Sequence, residues 1–271
     1  PWKNKNSKLG IKNSIKLIND CLKSNYSKIH IDTSIKCSDD TKLTSEEIFS
    51  RTKIILNKIK KNKKLRKIFL IIGTEVPLSG GNDKSKIKLT SKAQIIEEVK
   101  KFKNILKSIN LMNKTFGLVI EPGMKFMDYK IQIPKFKNFK NIQKLSKKNK
   151  FVYEAHSTDY QPKSSLKKLV NNNFKFLKVG PELTYNYCRS LFLMEKIERS
   201  YQFPISSNFE KKIMNTMQKN KKYWKNYYSG NKRKLNNLLL NSKLDRMRYY
   251  LNAQNVTKSI ALLRKNINKT E

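Results

Sequence analysis

Acidic side chains are few in this sequence. Twenty Asp and Glu stand against 60 Lys and Arg in 271 residues, a formal net charge of +40. Long apolar runs are missing as well: nothing approaches the roughly 18 uninterrupted residues that a membrane-spanning helix needs, which argues against a membrane partner. No secretory signal is read at the start of the sequence, and its first residue is Pro1 rather than Met, so the sequence is expected to lack its native start. Cysteine is limited to Cys21, Cys37 and Cys188. Neither a disulfide framework nor a zinc-type spacing can be read from that odd, widely spaced set, which fits small buried side chains in a reducing compartment such as the cytoplasm. Internal repeats are absent beyond an alternation of strand-like and helix-like segments.

A charge of +40 would by itself point to nucleic acid or another anionic surface. Its distribution argues otherwise. The excess is nearly all Lys, spread over every segment beside abundant Asn and Ile, a trio that A/T-rich codons favour together. A dedicated nucleic-acid binder concentrates charge on one face and favours Arg, whose planar fork matches phosphate. Nucleic acid is therefore not the expected partner.

Five short apolar or β-branched runs recur, at 28–34, 68–77, 117–123, 151–156 and 174–181, each bounded by turn residues and separated by helix-length segments. Such spacing predicts parallel strands in βα units. Thr44-Ser45-Glu46-Glu47 reads as a capping box, with the Thr hydroxyl capping a free N–H and the Glu reaching back. Ser91 to Gln94 repeats the device ahead of Ile95, Ile96, Val99 and Phe102. A first helix is expected around Ile11 to Leu22. Another should follow Gly180-Pro181 with Leu183, Tyr187, Leu191, Met194 and Ile197 on its apolar face. Beyond about residue 205 strands stop; the aromatic-rich segments 223–228 and 245–250 read as the packing face of a terminal helical cap rather than as a base-stacking surface.

Each strand stays apolar until its C-terminal end, where polar residues appear: Asp32 and Thr33, Thr74 and Glu75, Glu121, Glu154 and His156, then Lys178. In a parallel α/β barrel, active sites gather at that end, because the βα loops surround a shared mouth. Carboxylates and a histidine converging there could hold a divalent metal, Zn²⁺ or Mn²⁺, with Glu75 and His156 as candidate ligands, polarising a sugar carbonyl. Without metal the same groups could act as general acid and base. Asp32, Glu75, Glu121 and His156 are thus the catalytic or sugar-binding candidates. His30 shares the strand face of Asp32, one layer deeper, and reads as a satisfied core histidine. Lys178 reads as a phosphate or carboxylate contact rather than a Schiff-base nucleophile. Ser157, Thr158 and Gly180 occupy the places where such barrels commonly hold phosphate. Ser79-Gly80-Gly81 is a weak phosphate signal on its own.

The segments HIDTS, IGTEVP, EPG, VYEAHSTDYQ and LKVGPELT, with YWKNYY and DRMRYY near the end, occur in order with βα-sized gaps. Across essentially the whole chain this resembles the non-catalytic, Z-type (GatZ/KbaZ-like) subunits of class II D-tagatose-1,6-bisphosphate aldolase. The resemblance implies a TIM (β/α)₈ barrel, cytoplasmic catabolism of the galactitol and N-acetylgalactosamine type, and a Y-type zinc-dependent catalytic subunit as partner, with a phosphorylated ketohexose as substrate. Carried over by position, its motif residues are Asp32, Glu75, His156, Asp159 and Lys178; Glu121 stands where the family more often has Gln. Family members begin with three further βα units, so the five strands here are expected to be barrel strands four to eight of a fragment. On that basis residues 1–204 form a partial barrel and 205–271 a C-terminal helical extension packed on it. The leading expectation is an accessory aldolase subunit. A self-sufficient metal-dependent sugar or sugar-phosphate 4-epimerase or aldolase is the alternative, and a basic RNA-binding protein a weaker one.

Overall fold

A computed structural model describes residues 2, 4–74, 89–112 and 114–269. Its elements run, in chain order, α1 (Ser7–Lys23), β1 (Lys28–Ile31), α2 (Ser45–Ile59), β2 (Phe69–Ile72), α3 (Lys92–Ser108), β3 (Phe116–Val119), β4 (Lys125–Phe126), β5 (Ile131–Gln132), α4 (Phe139–Asn149), β6 (Phe151–Ala155), α5 (Lys163–Asn171), β7 (Phe174–Leu177), α6 (Pro181–Ser200), α7 (Phe209–Lys219), α8 (Lys232–Asn241) and α9 (Gln254–Ile267). The chain divides into two compact units, with Val179 onward and Lys125–Gln132 forming the second. That division assigns α6 to the C-terminal helices.

In the first unit, five strands form one parallel sheet in the order β1-β2-β3-β6-β7. Strands adjacent in sequence are adjacent in space, with a helix in each connection. This is the order of the TIM (β/α)₈ fold. Helix starts follow local chemistry. Thr44 and Glu47 close the expected capping box on α2, and Ser91 caps α3 through the Gln94 N–H. One sheet face carries Leu70, Ile72, Phe116, Leu118, Phe151, Tyr153 and Phe174, all buried against Ile55, Leu56, Ile95, Phe102, Leu106 and Ile142 of the helices. Phe116 stacks on Phe151 with ring centroids 5.7 Å apart, and the Tyr153 hydroxyl donates to the Ile142 carbonyl at 2.8 Å.

Strand alternation sends the intervening residues to the opposite face. Here the two edge strands meet: Lys28 of β1 sits 4.4 Å above the ring of Phe176 of β7, and the same ring lies 5.0 Å from Phe69 of the neighbouring β2. A sheet whose first and last strands touch through one face is curved, and that face is concave. Glycine makes room for the curve. A Cβ on Gly117 would sit 2.2 Å from the Ile71 Cδ1, and one on Gly73 would sit 2.7 Å from the Val119 Cβ.

Strand β7 reaches the concave face through a β-bulge. Tyr153 pairs with Phe174 but Glu154 pairs with Phe176, so Lys175 is an extra residue. An inserted residue reverses which side chains face which way. Phe174 therefore packs in the helix-side core, while Phe176 and Lys178 turn to the concave face.

Apart from the β4–β5 pair, the second unit is helical, with α9 packed on α6 and α7. The sequence pattern places Leu183, Tyr187 and Ile197 on the apolar face of α6, but in the structure these are 70, 37 and 46% exposed. The buried face carries Leu191, as expected, but otherwise Cys188, Glu195 and Glu198. The carboxylates tolerate burial because they are bonded. Glu198 accepts from the Ser207 N–H at 2.9 Å and from Asn266 at 2.6 Å, and Glu195 accepts from the Glu210 N–H at 3.0 Å. Trp224, Tyr228, Met247 and Tyr250, from the two aromatic-rich segments, are buried as expected of a packing face. Among the described residues no helix is long and apolar enough to cross a membrane.

Candidate functional site

The concave face of the sheet gathers the polar residues of three strands around one carboxylate. Glu154 lies on β6 with its side chain fully buried. Its Oε2 accepts from Lys28 at 2.7 Å; its Oε1 accepts from His156 Nε2 at 3.0 Å and from Lys178 Nζ at 3.1 Å. Lys178 also reaches His30 Nδ1 at 2.7 Å, and that nitrogen is 3.3 Å from Oε1. The two imidazoles meet edge to face with centroids 5.5 Å apart.

These contacts fix the proton positions. An ammonium can only donate, so His30 Nδ1 offers its lone pair to Lys178 and the ring proton is on Nε2. That Nε2 is buried with no hydrogen-bond partner among the described residues. Burial, then the neighbouring Lys178 charge, lowers the His30 pKa to about 4. For Glu154, burial alone would raise the pKa. The hydrogen bonds from His156 and Lys28 and the charge of Lys178 outweigh it and hold the carboxyl well below the ordinary range. His30 is thus neutral and Glu154 ionised at neutral pH. A carboxylate held so acidic is a poor general base there, because proton abstraction wants a pKa near the working pH.

Of the candidate residues, the structure brings His156 and Lys178 into this cluster. Asp32 directly follows the strand that carries His30, but its Oδ1 accepts from the Ser34 N–H at 2.9 Å and from its hydroxyl at 2.6 Å, closing the turn after β1. Glu121 uses its Oε1 on the N–H groups of Gly123 and Met124, at 2.9 and 3.3 Å. Ser157 has a left-handed backbone, with φ of 55°. The Thr158 N–H and hydroxyl both donate to the Lys178 carbonyl, at 3.1 and 2.9 Å, and Asp159 is buried beside them in sequence. Gly180 is the N-cap residue of α6, in the second unit. Glu75, like Ser79-Gly80-Gly81, lies outside the described residues.

Sequence reasoning missed three members: Lys28, His30 as a cluster residue, and Glu154 as its centre. Parity was the available signal, since Lys28 and His30 share one face of β1, and His156, one residue past β6, is two residues from Glu154 and so keeps its parity.

His30, Glu154 and His156 also form the one group of potential metal ligands among the described residues, with their ligand atoms within 4.8 Å of one another. As arranged they do not fit a divalent ion. Metal–ligand bonds to such groups need about 2.0–2.2 Å, whereas the Lys178 ammonium already lies 2.7 Å from His30 Nδ1 and 3.1 Å from Glu154 Oε1. The carboxylate charge is moreover shared between two ammonium groups.

Fold and site together define a parallel βα protein of the TIM-barrel class with an ionic cluster lining the concave face of its sheet. A family model described as "D-tagatose-1,6-bisphosphate aldolase subunit GatZ/KbaZ-like" matches residues 1–271, and the chain belongs to that family. It is 28% identical over 280 residues to the D-tagatose-1,6-bisphosphate aldolase subunit GatZ of Escherichia coli O6:K15:H31, covering 98% of this chain and 66% of the relative. The Salmonella dublin GatZ subunit is 27% identical over 277 residues with the same coverage. The chain thus spans just under two thirds of the length of these curated relatives. A crystal structure from Sinorhizobium meliloti, described as a probable tagatose 6 phosphate kinase, shares the fold with a TM-score of 0.86 at 23% identity, covering 99% of this chain and 67% of that one.

Proposed function

We propose that this chain serves as the accessory, non-catalytic subunit of a class II D-tagatose-1,6-bisphosphate aldolase, in cytoplasmic carbohydrate catabolism. Its partner would be a zinc-dependent catalytic subunit of the Y type, and the substrate of the assembly a phosphorylated ketohexose. Family membership over residues 1–271 and the subunit name borne by the relatives support this reading. The observation that carries its non-catalytic part is the state of Glu154. The buried carboxylate at the centre of the cluster is ion-paired to Lys28 and Lys178 and bonded to His156. A carboxylate held so acidic has too low a basicity to take a substrate proton near neutral pH.

Co-expression with a Y-type catalytic subunit tests the reading. The catalytic subunit should copurify with this chain and cleave tagatose 1,6-bisphosphate faster, or survive heating longer, than it does alone. This chain alone should turn over neither that substrate nor other ketohexose phosphates. Chelator-sensitive turnover by the isolated chain, abolished by His156→Ala, would instead establish the self-sufficient epimerase or aldolase.

A further inference from the structure

The His30–Glu154–His156 group has the composition of an N,N,O metal triad, yet an amine of the same chain stands among its donor atoms. His30 directs the lone pair of Nδ1 at Lys178 Nζ across 2.7 Å, just as a ligating imidazole directs it at an ion. Glu154 Oε1 meets the same nitrogen at 3.1 Å, and His156 Nε2 is 3.0 Å from that oxygen. Lys178 directly follows β7, the edge strand paired with β6, and faces these groups because Lys175 bulges out of register. Its side chain is 42% exposed, so it can leave the cluster without stranding a charge in the interior. Lys28 holds the other carboxylate oxygen, Oε2, and leaves Oε1 to the triad side. A ligating imidazole normally donates its second N–H to a carbonyl or carboxylate that orients it; His30 Nε2 has no such partner among the described residues.

We propose that the Lys178 ammonium occupies the cation position of an N,N,O ligand group formed by His30, Glu154 and His156, so that the chain carries a divalent-metal site closed by its own lysine. The exchange is a competition between one tethered charge and one free ion for the same lone pairs. Removing the tethered charge opens the site, and a cation that remains tethered keeps it shut. This inference is independent of the accessory role, since a closed site could belong to a subunit of any function.

Co²⁺ is the probe, because its visible absorption reports nitrogen and oxygen ligation directly, with Zn²⁺ as competitor and isothermal titration calorimetry as a second readout. The full chain should show no saturable absorption band at micromolar Co²⁺. Lys178→Met should gain one, saturating at roughly one ion per chain and displaced by Zn²⁺. Lys178→Gln, which keeps a hydrogen-bond donor towards His30, is read in parallel and should gain the band more weakly. Lys178→Arg should remain without it, and Lys178→Met combined with His156→Ala should lose it. Near-ultraviolet circular dichroism verifies that each variant is folded. Equal Co²⁺ binding by the wild-type chain and Lys178→Met would overturn the proposal, as would folded Lys178→Met and Lys178→Gln proteins that bind no ion.

Discussion

Lowering the pH from 7.5 to 5 should cost the first unit about 2 kcal/mol through His30 alone. The buried imidazole has its pKa lowered from 6.5 to about 4. Between those values the unfolded chain holds a proton on His30 that the folded chain does not. The stability this group contributes is therefore complete above about pH 6.5 and falls as the pH drops towards 4. At about 1.4 kcal/mol per pH unit, the 1.5 units from 6.5 to 5 give the quoted loss. Glu154 works in the same direction over a lower window. Its folded pKa is depressed, so its contribution is present above the ordinary carboxyl value and is lost only below it. A limit of pH 5 thus separates the two. The chain has two tryptophans, and Trp2 donates its indole N–H to the Asp32 carbonyl in the first unit. In a Trp224→Phe background, urea unfolding followed by Trp2 fluorescence reports that unit. The difference in stability between pH 7.5 and 5 should shrink by about 2 kcal/mol in His30→Gln. There are likewise only two histidines, so two imidazole Cε1–H resonances suffice to follow both rings by NMR. A His30 resonance that titrates near 6.5, or equal pH slopes in His30→Gln and its parent, would refute the reasoning.

Glu154→Gln removes the charge that two ammonium groups share. A broken buried pair typically costs about 3–5 kcal/mol, but Lys28 and Lys178 are 33 and 42% exposed and can rehydrate, so a loss of about 2–3 kcal/mol is expected by urea titration. Lys28→Met should cost less, because Glu154 keeps its bonds to His156 and Lys178. On the concave face, Gly73→Ala drives a Cβ against the Val119 Cβ, a branch point that cannot turn away, whereas Gly117→Ala meets the movable end of Ile71. The first should cost about 1–3 kcal/mol in thermal melts and the second less; the reverse order would contradict the packing described. Deletion of Lys175 removes the bulge residue. It should rotate either Phe174 out of the core or Lys178 off the cluster, seen as loss of the low His30 pKa or as a drop in melting temperature.

Much of the fold is legible in the sequence because periodicity reports burial. Each of the five expected strand runs overlaps a strand, and the Thr44 box starts a helix where it should. The short β4–β5 hairpin is not foreseen: with two residues in each strand it carries too little alternation to register. The α6 face is misread because apolar spacing alone cannot tell an outer stripe from an inner one when the inner face buries bonded glutamates. The candidate site divides along the same line. His156 and Lys178 are found by their position at strand ends. Asp32 and Glu121 are found too, but their carboxylates close the turns that follow their own strands, as carboxylates at strand ends do when a free N–H lies two residues on. His30 is read as a satisfied core residue, since nothing in β1 alone shows that two other strands aim a carboxylate and an ammonium at it. That convergence depends on sheet curvature and on the bulge at Lys175, and both are properties of strand pairing. Alternation within β7 itself, with no bulge, would set Phe174, Phe176 and Lys178 on one face. The structure splits that set, with Phe174 in the core and Lys178 on Glu154. One unpaired residue therefore decides whether the strand's lysine faces the helices or the carboxylate, and the cluster exists because it faces the carboxylate.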